Sequence, residues 1–131
     1  MKTHYLEIPK EKWGIIFIYD FNIIDADEMA AIMDSFGLPE GKIRYSMRVL
    51  FGENTGMTIS REDLRMSVIF VGKASSMEQF ADTCAHEALH VTNAILDYYG
   101  IPCDNEDESW TLGYIVRQMA RAVKEDMIYG E

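Results

Sequence analysis

Residues 75–98, SSMEQFADTCAHEALHVTNAILDY, carry Met77, Phe80, Cys84, Ala88, Val91 and Ile95 at spacings of three and four, which predicts an amphipathic helix running to Tyr98. Gly100 and Pro102 end it, as a C′ glycine and a following proline commonly do. Within this helix His86-Glu87-Ala88-Leu89-His90 is an HExxH pentapeptide, in a chain with only three histidines. Positions i and i+4 lie on one face, so both imidazoles can reach one cation while Glu87 points beside it. At about 100° per residue, His86 and His90 lie about 200° and 240° around from Cys84, opposite the apolar stripe. They are expected to look into a cleft, on a face that also carries Asn93 and Asp97.

Upstream the pattern is that of a sheet. Trp13 to Phe21 is β-branched and aromatic and reads as a buried strand. Asp25 or Asp27 can cap a short helix through Phe36, stopped by Gly37 and Pro39. Ile43 to Phe51, Thr55 to Ser60 and Leu64 to Val71 read as further strands, punctuated by Gly52, Asn54 and Gly72. Downstream, a second long helix is expected from about Glu106 to Ile128, burying Leu112, Ile115, Met119 and Val123. The order predicts an α+β domain: a mostly antiparallel sheet of three or four strands, one short N-terminal helix, and two long C-terminal helices, with the sheet on one side.

The chain of 131 residues is expected to form a single domain with its own core. A formal charge of −10 argues against nucleic acid and anionic membrane as partners, since both need clustered lysine and arginine. Met1 to Trp13 lacks the basic start and apolar stretch of a signal peptide, and Ile15 to Ile18 is too short to span a bilayer. Cys84 and Cys103 form no disulfide framework, and a reduced, cytoplasmic protein is the expectation. Cys84 lies on the apolar stripe and reads as core, whereas Cys103 sits in the turn beside the acidic residues. The nine methionines read as core filling, with Met29, Met33, Met47 and Met57 also available as exposed contacts for a partner.

A catalytic zinc takes three protein ligands and leaves its fourth position to water, so the two histidines need a third partner. His4 is the remaining histidine, in an N-terminal segment expected to fray. The carboxylates of Asp104-Asn105-Glu106-Asp107-Glu108 lie nearer, just after the chain reversal. Glu108 shares a helical face with Leu112, Ile115 and Met119, where an unpaired carboxylate would be costly and a metal would resolve the cost. With Asn105 as N-cap, Glu108 is also the N3 residue of a capping-box-like turn, and Glu106 is the next candidate ligand. Two imidazoles and one carboxylate suit Zn²⁺.

From His86 to about Met119 the chain resembles the gluzincins, zincin metallopeptidases with HExxH on one helix and a glutamate ligand on the next. Its size and element order are similar to those of the minigluzincins. The resemblance implies His86, His90 and Glu108 as zinc ligands and Glu87 as the base. Glu108-Ser109-Trp110-Thr111-Leu112 departs from the family's ExxxD and ExxA patterns. The resemblance also implies that a peptide substrate adds as a strand to the sheet edge beside the active-site helix. Thr55 to Ser60 is the match, and it reads equally as an ordinary edge strand or hairpin arm. Tyr98, Tyr99 and Tyr114 are available as oxyanion donors, with none assigned.

The expected function is a zinc-dependent metallopeptidase acting on a peptide or protein substrate. One variant is a repressor-cleaving peptidase of a mobile element. A reading from another class is a catalytically silent zincin-like binding module. In a latent form, the C-terminal Lys124 to Glu131, or a neighbouring copy, would occupy the cleft, with Glu125, Asp126, Glu131 or the terminal carboxylate ligating the metal in place of water.

Overall fold

The computed structural model describes residues 1–52, 56–103 and 105–129, and of Asn105 and Tyr129 the backbone alone. Four strands and four helices follow one another as β1 (Lys2–Ile8), β2 (Trp13–Tyr19), α1 (Ala26–Ser35), α2 (Glu40–Leu50), β3 (Gly56–Arg61), β4 (Met66–Val71), α3 (Met77–Tyr99) and α4 (Asn105–Tyr129). Short 3-10 turns at Ile23–Asp25 and Glu62–Leu64 lead into α1 and β4. The class is α+β, as the periodicity implies. Among the described residues no helix is long and apolar enough to cross a membrane.

The sheet order is β1-β2-β4-β3. The outer pairs, β1 with β2 and β3 with β4, are antiparallel, but β2 and β4 run parallel at the centre, so the sheet is mixed. Ile15, Phe17, Tyr19, Ile69 and Val71 face one core, while Ile16, Ile18, Val68 and Phe70 face another. Central strands with two dry faces read as unbroken apolar runs, as both do here. The expectation of a sheet with helices on one side is therefore corrected: α3 and α4 pack on one face, α1 and α2 on the other.

Two local expectations are also corrected. Ile43 to Phe51 is not a strand: residues 40–50 form α2. Ile43, Met47 and Leu50 recur at helical spacing and pack on the second core, while Arg44 pairs with Glu40 one turn back at 3.1 Å. Pro39, extended at ψ 153°, starts that helix instead of merely ending the one before. The N-terminus is not a frayed segment but strand β1, in register with β2 from Lys2 opposite Tyr19 to Ile8 opposite Trp13. Its alternation buries Leu6 and Ile8 and exposes Thr3, Tyr5 and Glu7, and Lys12, at φ 53°, closes the Pro9 turn. Met29, Met33, Met47 and Met57 all belong to the second core, the first two being fully buried.

Candidate functional site

Helix α3 is fixed at both ends by its sequence. The Ser76 hydroxyl accepts from the Gln79 amide at 3.0 Å, and the Gln79 side chain accepts from the Ser75 amide at 2.6 Å, a reciprocal cap. At the other end Gly100 takes φ 66°, and the Ile101 amide reaches back to the Leu96 carbonyl at 2.9 Å. Between them Cys84, Ala88, Val91 and Ile95 are buried in the first core, as the stripe requires. The Cys84 thiol is pushed up to about 12, first by burial and then by the neighbouring Glu87 charge, and is a protonated core group.

The face opposite that stripe opens into a cleft of about 650 Å³ between α3 and strand β3. His86 and His90 are exposed within it. Their rings meet edge to face, with centroids 4.9 Å apart and the Nε2 atoms 3.3 Å apart. Two nitrogens each about 2.0–2.1 Å from a tetrahedral zinc stand roughly 3.4 Å apart, so the separation of the pair matches that of two ligands of one ion. The same separation serves an N–H···N hydrogen bond when one ring carries its proton on Nε2.

Glu87 turns inward, unlike the histidines. It is 5% exposed, and its Oε1 accepts from the Thr58 hydroxyl of β3 at 2.8 Å. The same hydroxyl lies 3.2 Å from the Glu87 carbonyl oxygen, so one threonine holds both ends of the residue with a single proton. Close approach of the strand depends on Gly56, where an added Cβ would stand 2.7 Å from Thr83 Cγ2 and 2.9 Å from both Cγ and Oε2 of Glu87. Strand β3 ends the sheet, with Thr58 and Ser60 lining the cleft. Thr55, the first residue of the expected strand, lies outside the described residues.

The remaining candidates lie elsewhere. Glu108 is half-buried and Glu106 exposed, both in the acidic first turn of α4; neither lines the cleft. Among the described residues no three His, Cys, Asp or Glu side chains form a group able to hold a metal. His4 is on β1, at the sheet edge far from β3, with its Nε2 2.8 Å from Asp126 and its ring stacked on Tyr19. Tyr19 also donates to Asp126. Burial pushes the Asp126 carboxyl up, but the hydrogen bonds from Tyr19 and His4, with the charges of His4 and Lys2, outweigh it and hold the group below its ordinary value. Asp126 is thus engaged away from the cleft, and Glu131 lies outside the described residues. Tyr98 packs against Trp13 and Tyr99, Tyr99 donates to the Glu11 carbonyl, and Tyr114 stacks on Trp110; none of the three lines the cleft.

Asp82, Gly56 and Thr58 were not singled out by the motif, although Asp82 precedes His86 and His90 at the same four-residue interval. No protein-family model matches the chain, and no curated protein or solved structure matches it significantly.

Proposed function

We propose that the chain is a zinc-dependent metallopeptidase, with His86 and His90 as ligands, Glu87 as general base and Glu108 as the third ligand. The observation that carries this reading is the convergence of two imidazole nitrogens, 3.3 Å apart, in a cleft whose wall holds the intervening glutamate. Zinc, if held by His86, His90 and Glu108, would supply a water of lowered pKa and a Lewis acid for the scissile carbonyl. Glu87 accepts the proton of the attacking water and passes it to the leaving amine nitrogen. Thr58 fixes the carboxylate rotamer for both transfers. Glu108 stands in the first turn of α4, the helix that packs beside α3, and would have to move toward the cleft to complete the ligand set. The edge position of β3 suits a substrate docked as an added strand.

Elemental analysis tests the reading, on protein purified without a chelating tag, beside Glu108→Ala and Glu106→Ala. About one zinc per chain is expected, lost with Glu108 and kept with Glu106. Hydrolysis of denatured casein by wild type, abolished in Glu87→Gln, is the expected activity. Absence of metal after zinc is added back would replace the enzyme with a binding module.

A further inference from the structure

The cleft carries charge of one sign. Among the described residues its charged lining, apart from the histidines, is the carboxylates Asp82 and Glu87, with no lysine or arginine. Glu87 is held by Thr58, whereas Asp82 is exposed and has no hydrogen-bond or ion-pair partner among the described residues. Local structure gives no reason for an aspartate there. It is the sixth residue of α3, past the first turn where the helix dipole favours acids, and Glu78 lies one turn back on the same face. Aspartate is also a poor helix former.

The level midway between His86 and His90 is about 9 Å along the helix axis from Asp82. An extended peptide covers that in about two or three residues. Gly56 abuts Thr83 and Glu87, and Thr58 bonds to Glu87, so β3 advances in the same sense as α3. Antiparallel pairing, the more stable ladder, then runs the peptide from the His90 end toward the Asp82 end.

We infer that the cleft selects basic peptides, with Asp82 receiving a lysine or arginine about two or three residues to the C-terminal side of the cleaved bond. The position of the cleaved bond rests on the peptidase reading; the binding preference rests on the charge of the cleft. An exposed ion pair supplies up to roughly five-fold in affinity, and salt screens it.

The test uses fluorescein-labelled neutral peptides bearing a single Lys, Gln or Glu at successive positions. Binding is read by anisotropy on chelator-treated, metal-free protein, where both cleft carboxylates are kept and nothing is cut, and cleavage sites by mass spectrometry on the zinc-supplemented wild type. The Lys peptides should bind up to roughly five-fold tighter than the Gln peptides at low salt and equally at high salt. Asp82→Asn should remove the advantage and Asp82→Lys should transfer it to the Glu peptides, with circular dichroism unchanged. Equal binding of Lys and Gln peptides, no binding of any peptide, or a Lys preference surviving in Asp82→Asn would overturn the inference. Lys-selective binding without cleavage by wild type would keep the selection and remove the peptidase. Cleavage without charge preference would do the reverse.

Discussion

Replacing Thr58 with valine keeps the shape of the side chain and deletes the one hydroxyl that, among the described residues, is seen to reach Glu87. The carboxylate is 5% exposed, so water replaces the lost donor poorly. A hydrogen bond to a charged group is worth about 1.5–3 kcal/mol, and leaving its buried acceptor unmet accounts for most of that cost. Thr58→Val should therefore lose about 2 kcal/mol in urea denaturation. In a domain of this size that is a fall in Tm of roughly 6–10 °C. Combining it with Glu87→Gln isolates the charge: a neutral amide accepts at about 1 kcal/mol, so Thr58→Val should cost about half as much in that background. Thr58→Ser, which restores the hydroxyl, should return to within about 0.5 kcal/mol of wild type. Equal cost in both backgrounds, or a cost within the ordinary surface range, would show that the hydroxyl does not hold the carboxylate.

Three further outcomes follow from the packing and the shifted carboxyls. Gly56→Ala forces a methyl to within 3 Å of Thr83 and Glu87, and should cost about 1–3 kcal/mol in urea, with Glu87→Ala recovering part of it. Burial, partly offset by Lys10, raises the Glu11 carboxyl, and its Oε1 is buried without a hydrogen-bond partner among the described residues. Wild type therefore loses stability as pH rises from 4.5 through the folded value, so Glu11→Gln should raise Tm at neutral pH, with no gain below that window. Asp126 is held below its ordinary value of 3.8, so its stabilisation is present above that pH and lost as acid passes the folded value. Thermal melts of Asp126→Asn should show a deficit at neutral pH that shrinks only in strong acid.

The two long helices were legible because each buries a stripe in one direction, and a single period describes such a face. The central strands were legible as strands, but their burial on both faces was not: Trp13 to Tyr19 has no polar alternation to say that a second helical layer exists. Residues 43–51 misled because Ile43, Tyr45 and Val49 suit a strand locally, while the buried spacing of Ser46 and Leu50 appears only against the second core. At the site, HExxH placed His86, Glu87 and His90 in one cleft. Thr55 to Ser60 was legible as the edge strand beside the helix, but the holds of Thr58 and Gly56 on Glu87 were not, since they join residues twenty-nine or more positions apart. The place of Glu108 depends on how α4 meets α3 across the reversal, which no local pattern encodes.

Six of the nine methionines, Met1, Met29, Met33, Met47, Met57 and Met66, gather in the layer formed with α1 and α2. The protein thereby carries its own spectroscopic layer. Met57 stands on β3 one residue before Thr58, and packs against that layer from the strand that walls the cleft. Its terminal methyl is soft and adaptable, so a rigidified β3 would alter its resonance through ring currents from Phe21, Phe36 and Phe70 in the same cluster. Methyl-labelled methionine alone would let cleft occupancy be followed from the far face of the sheet, with every side chain in the cleft left as nature set it.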